Sequence, residues 1–171
     1  MVTLRMFTEV ELAYFDSLPG PAEDPYSFYG FRGSRATIRA RWAEHRLITD
    51  SGGTLAVDLD GRVIGDVQWH TVPYGPPPMS NALNIGITLR PEHRGHGYGT
   101  TAQTALAEYL LATYPVNRVE ASTDITNRAE QRSLEKAGFT REGVLRGAQW
   151  RDGRWNDLIQ YSRLRTDTAS D

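Results

Sequence analysis

NIGITLRPEHRGHGYG, residues Asn84 to Gly99, decides how the rest of the chain is read. Leu83, Ile85, Ile87 and Leu89 alternate with smaller or polar residues, the period-2 pattern of a strand with one buried face. Pro91 removes a backbone donor and ends regular pairing. Arg94, Gly95, His96, Gly97, Tyr98 and Gly99 follow, three glycines alternating within a basic loop. Glycine tolerates positive φ and carries no Cβ, so such a loop can turn successive N–H groups toward one point. The run TTAQTALAEYLLATY then reads as a helix, whose first turn adds unpaired N–H groups and the positive end of a dipole. Strand, glycine loop and helix together predict a site for a phosphate or pyrophosphate.

Outward from this stretch, 171 residues predict one domain, residues 1–165, with a polar C-terminal tail at 166–171. At 39% hydrophobic and 23% charged residues the composition is that of a soluble globular protein, and a net charge of −2 offers no global field for nucleic acid or anionic membrane. There is no cysteine, which excludes disulfides, thiolate metal sites and a cysteine nucleophile. No apolar run approaches the roughly 20 residues that span a bilayer, and MVTLRMFTEVE lacks the apolar core of a signal peptide, so the expected location is the cytoplasm. No metal site is expected.

Val2–Met6 reads as a strand and Glu9–Leu18 as a short amphipathic helix. Residues 19–33, PGPAEDPYSFYGFRG, form an aromatic loop that either ties down the core or walls a pocket. Ala36–Ile48 has helical spacing. Thr54–Leu59 and Arg62–Val72 are strands joined at Asp60-Gly61, a hairpin signal. On the second, alternation places Val63, Gly65, Val67, Trp69 and Thr71 on one face and Ile64, Asp66, Gln68 and His70 on the other. That polar row is either a solvated face or the border of an acceptor site. After a proline-rich connection and the opening stretch come a strand at Arg118–Thr123, a helix at Asn127–Ala137 and a closing hairpin turning at Asp152-Gly153. The order predicts an α/β fold: a mixed, mostly antiparallel sheet with one parallel pair and helices on both faces.

Arg94-x-x-Gly97-x-Gly99 after a strand, Asn127 ahead of a helix running into Glu135-Lys136-Ala137-Gly138-Phe139, and the later Glu142-Gly143-Val144-Leu145-Arg146 resemble the GNAT superfamily of acyl-CoA-dependent N-acetyltransferases, in its RimJ/RimL-like branch. The resemblance implies acetyl-CoA as co-substrate. It implies that the backbone of Arg94, Gly95, His96, Gly97, Tyr98 and Gly99, with Thr100, holds the pyrophosphate. It further implies that Ile87, Thr88 and Leu89 splay from the next parallel strand to pair with the pantetheine arm, and that Asn127 reaches that arm from the other side. Acyl transfer to a primary amine follows, the acceptor being a small molecule or a peptide N-terminus.

The chain departs from the family where acid and base often sit. Asn84 stands in place of a glutamate, Leu134 in place of a tyrosine, and Glu130 in place of a serine. The catalytic candidates are therefore Glu130, Asp66 and His70, and the candidate substrate pocket is Phe28, Phe31, Trp69 and Tyr74. Rival readings remain: a non-catalytic acyl-CoA sensor, or an acyltransferase served by a carrier protein's phosphopantetheine. A homodimer is compatible with all of them. A nucleotide hydrolase is disfavoured because Gly-Lys-Ser/Thr is absent.

Overall fold

The computed structural model describes residues 1–18, 24–26 and 35–167. Phe28 and Phe31 fall outside them. Eight strands form one sheet: β1 Val2–Arg5, β2 Ile48–Thr49, β3 Gly52–Leu59, β4 Arg62–Pro73, β5 Asn81–Leu89, β6 Arg118–Asp124, β7 Thr140–Arg151 and β8 Arg154–Leu164. The spatial order is β1-β3-β4-β5-β6-β8-β7, with β2 paired to β3. Every pair is antiparallel except β5–β6. The connection between those two parallel strands is helix α2, Tyr98–Thr113; α1 spans Arg35–His45 and α3 spans Arg128–Lys136.

The parallel pair is short. Only Leu83↔Val119 and Asn84↔Glu120 are in register. From Ile85 onward β5 is held by β4 alone, through pairs that continue to Gly65↔Leu89, while Ala121–Asp124 of β6 pair only with β8. The sheet therefore forks beyond Asn84 and Glu120. This is the splay that the family resemblance implies.

One face of the sheet packs on α2 and α3 through Leu83, Ile85, Val119, Leu106, Leu110 and Leu134. The other is covered at one end by the N-terminal segment, where Phe7, Leu12, Tyr14, Leu47 and Ala56 form a second cluster. Glu9–Leu18, expected as a helix, is a tight 3-10 turn over Val10–Asp16. Arg5 ties it down, donating to Glu11 at 2.8 Å and to Asp58 at 2.7 Å. Its guanidinium holds the Glu11 carboxyl down at about 2.

The alternation expected along β4 fails at Val63 and Ile64, for Val63 packs against the N-terminal cluster and not on the face of Val67 and Trp69. Val57 pairs with Gly65 but Asp58 with Val63, so Ile64 is an extra residue, a bulge. The bulge turns Ile64 into the α2 core instead of lining it up with Asp66, Gln68 and His70. Beyond it the two faces follow the expected pattern. Along α2 the buried side includes Gln103 and Ala107 as well as Ala102, Leu106 and Leu110, because α3 lies against it.

Candidate active site at the fork of the sheet

Between β5 and α2 the chain makes a turn at Pro91–His93 and then the glycine loop. Gly95 and Gly97 have φ of 80° and 81°, a left-handed conformation that L side chains rarely adopt. A Cβ built on either would meet no atom within 4 Å. Backbone conformation, not crowding, is what requires glycine there. Gly97 is also the N-cap of α2, and having no side chain it leaves the first-turn N–H groups without a side-chain cap. Arg94 braces the loop, donating from Nε to the Leu89 carbonyl at 3.0 Å and from Nη2 to Asp24 at 2.8 Å. The exposed His96 ring stacks on Tyr98.

Across the fork, Asn127 caps α3: its Oδ1 accepts the Glu130 N–H at 3.2 Å, and its side-chain amide donors make no hydrogen bond among the described residues. Glu130 faces α2, where Gln103 Nε2 donates to its Oε1. Gln103 Oε1 in turn accepts from Ser133 Oγ at 2.7 Å, and Ser133 lies 3.1 Å from Thr100 Oγ1. Because Ser133 gives its proton to Gln103, Thr100 is the donor of that last bond. A chain of side chains thus runs from the start of α2 to Glu130. Burial pushes the Glu130 carboxyl up to about 7, the Gln103 bond offsetting only part of the rise. Sequence reasoning missed Gln103 and Ser133. Leu134 is fully buried in the core.

On the opposite face, where the fork opens, lies a cleft of about 560 Å³ lined by Tyr74, Asn84, Arg118, Glu120, Ser122, Glu142, Leu145 and Gln160. Glu120 is 3% exposed. Its Oε2 accepts from the Tyr74 hydroxyl at 2.8 Å and from Arg118 Nε at 2.9 Å, while Oε1 has no partner among the described residues. The other edge of the same guanidinium grips Glu142 at 2.6 and 2.5 Å, and Ser162 Oγ adds a third bond at 2.7 Å. Arg118 holds the Glu142 carboxyl down at about 2. Glu120, Arg118 and Glu142 were not among the candidates read from the sequence. The available signal was that Val119 and Ala121 claim one face of their strand, which leaves Arg118, Glu120 and Ser122 together on the other.

The remaining candidates separate. Asp66 is buried beneath the 3-10 turn, where the Tyr14 hydroxyl donates to its Oδ1 at 2.8 Å. Burial pushes its carboxyl up to about 7 despite that bond. The Arg90 guanidinium lies 5.2 Å from the Tyr14 ring centroid. His70 is exposed and stands opposite Asn84 in register. Tyr74 lines the cleft around Glu120. Trp69 does not: strand alternation puts it on the α2 face, 3% exposed, edge-on to Tyr109 and Tyr114. Among the described residues no group of three or more acidic or histidine side chains is placed to hold a metal.

A family model described as an acetyltransferase (GNAT) domain matches residues 2–140, and the chain belongs to that family. The probable N-acetyltransferase YjcK of Bacillus subtilis is 34% identical over 63% of this chain, a stretch that spans 58% of YjcK. The putative ribosomal N-acetyltransferase YdaF of the same organism is 29% identical over 85% of this chain and 75% of its own. Among solved structures, spermidine N-acetyltransferase from Vibrio cholerae in complex with CoA and spermine superposes with a TM-score of 0.81 at 20% identity, covering 97% of this chain and 96% of that one. At that identity the likeness is one of fold.

Proposed function

We propose that the protein transfers an acetyl group from acetyl-CoA to a primary amine, both substrates meeting at the fork. The observation that carries this reading is the fork itself. An open β5 edge leads from a glycine loop of left-handed conformation to an acidic cleft, so one substrate can lie along the strand while the other enters from the opposite face. Gly95, Gly97 and the uncapped first turn of α2 suit a pyrophosphate. The free side of Ile85–Leu89 suits the amide-bearing pantetheine arm, and the Asn127 amide suits its far side. When bound, acetyl-CoA supplies an activated acyl group. A phosphopantetheine arm on a carrier protein offers the same contacts, and a longer acyl group is tested alongside acetyl.

On the cleft side, the unpartnered Glu120 Oε1 receives the acceptor's ammonium group, with Asn84, Ser122 and Gln160 beside it. The amine must lose a proton before it attacks the thioester carbonyl, and the departing sulfur must gain one. His70, exposed and next to Asn84, offers the first proton a way toward solvent. Glu130, on the helix side and titrating near neutrality, is suited to protonate the sulfur. Holding both reactants side by side can contribute on the order of 7–11 kcal/mol, so no strongly basic residue is required. Asp66, sealed by Tyr14, supports the sheet rather than the proton transfer.

The test is thiol release from acetyl-CoA with a panel of small amines and short peptides, paired with calorimetric titration of CoA. Binding with amine-dependent turnover supports an enzyme. Binding without turnover for any amine or acyl donor supports the sensor reading, which the absence of a glutamate at Asn84 favours.

A further inference from the structure

The acceptor cleft holds an asymmetry of charge. Its lining has two carboxylates, Glu120 and Glu142, and one guanidinium, Arg118, wedged between them. Arg118 is three-quarters or more covered, with 21% of its side chain exposed, and it spends Nε on one acid and both terminal nitrogens on the other. Glu142 is doubly bonded by the guanidinium and bonded again by Ser162, so both of its oxygens are committed. Glu120 keeps one oxygen uncommitted. One guanidinium against two carboxylates leaves one negative charge uncompensated, and Glu120 Oε1 is the carboxylate oxygen of this group without a partner among the described residues.

Resting on the amine-acetylation reading above, we infer that Arg118 sets the charge of the acceptor: the cleft accepts primary amines carrying one positive charge and discriminates against diamines and polyamines. A second ammonium entering the cleft would find Glu142 occupied and would face Arg118 itself. Like charges brought together in a partly desolvated site cost free energy, and selectivity follows from that repulsion as much as from attraction to Glu120. The chemical class is thus a monocationic amine whose remaining polar groups meet Ser122, Gln160 and Asn84, a class that includes peptide N-termini followed by uncharged side chains. Arg118 is a specificity determinant rather than a catalytic residue.

The experiment compares kcat/KM for pentylamine, 1,5-diaminopentane, spermidine and a neutral-side-chain dipeptide amide, in the wild type and in Arg118→Gln and Arg118→Lys. The wild type is expected to prefer the monocations by about tenfold or more, as 1.4 kcal/mol of discrimination would give. Arg118→Gln is expected to shift the monoamine-to-diamine ratio by at least about tenfold toward the diamine, mainly through KM, while Arg118→Lys keeps the wild-type preference. Calorimetry with CoA and the thermal midpoint verify that each variant is folded. Should Arg118→Gln fail to fold, Glu142→Gln tests the same idea with opposite sign: removing a carboxylate should weaken diamine use further. A ratio unmoved in folded Arg118→Gln, or moved toward monoamines, overturns the inference while leaving acetylation intact. Absence of turnover with every amine overturns acetylation and this inference with it.

Discussion

The loop from Arg90 to Gly99 and the cleft around Glu120 open onto the same fork, yet they are made of different material. The loop is backbone: two left-handed glycines and an uncapped helix start, contiguous in the chain and specified by local conformation. The cleft is side chains: Tyr74 from the connection before β5, Arg118 and Glu120 from β6, Glu142 from β7, Gln160 from β8. A backbone site presents the same N–H groups whatever the neighbouring side chains are, which suits a donor of fixed shape. A site of converging side chains can be retuned one residue at a time, which suits a variable acceptor. The difference separates what the fold must keep from what a single chain can choose.

Substitutions on either side should break that division in different measurements. The largest effect is expected from Gly97→Glu. It forces a side chain into a left-handed position, at roughly 1–2 kcal/mol, and sets a carboxylate where the proposed pyrophosphate binds. CoA affinity measured by calorimetry should fall more than about 100-fold, and unchanged affinity would sink the loop assignment. Glu120→Gln should do the reverse, lowering kcat/KM for amines by about 30-fold or more with CoA affinity within about twofold of wild type. Equal loss of CoA binding would show that the two flanks are not separable. Glu130→Gln should lower kcat by about tenfold with both binding constants preserved, because it removes the acid proposed to protonate the leaving sulfur; a wild-type rate at saturating amine would remove Glu130 from the chemistry.

A smaller effect is expected at Asp66, whose folded-state carboxyl, raised to about 7, lies above its usual value near 3.8. A raised acid binds more protons in the folded state, so its contribution to stability is full below pH 4 and is lost as pH rises toward 7. Glu130 adds a slope of the same sign. The arginine-paired Glu11 and Glu142, held at about 2, are ionised in both states above pH 5 and add none. Urea midpoints should therefore fall between pH 5 and pH 8 in the wild type and fall less in Asp66→Asn. An identical slope in the variant would mean that Asp66 is not the buried acid responsible. Least of all, Tyr74→Phe should raise the amine KM about two- to fivefold, because Glu120 loses the Tyr74 hydrogen bond that holds its carboxylate in place.

Much of the fold was legible because its signals are local. Alternation along Leu83–Leu89, the turns at Asp60-Gly61 and Asp152-Gly153, and the glycine loop each depend on residues within a few positions of one another. The parallel β5–β6 pair followed from the intervening helix. What escaped depends on partners. The bulge at Ile64 exists only in the register of β4 against β3, so no pattern within β4 announces it. Glu9–Leu18 carries an amphipathic pattern, but the Arg5–Glu11–Asp58 contacts hold it as a tighter turn. Trp69 reads as an aromatic fit for a pocket until its face is assigned. Glu120 and Glu142 lie 22 positions apart and meet only through Arg118, which each contacts separately. Gln103 is buried because α3 covers it, and the sequence of α2 alone cannot say which flank a second helix will take.

The two-pair contact between β5 and β6 has a thermodynamic side. A sheet whose β5 is unpaired on the β6 side along Ile85–Leu89 is completed, on the proposed reading, by a ligand acting as the missing strand, so part of the protein's cohesion resides in the ligand pool. Linkage then makes the melting temperature a gauge of free acetyl-CoA: at 100 times the dissociation constant the folded state gains about 2.7 kcal/mol. Amide hydrogens along the cleft edge of β5 should exchange quickly without the ligand and slowly with it, while those facing β4 stay protected throughout.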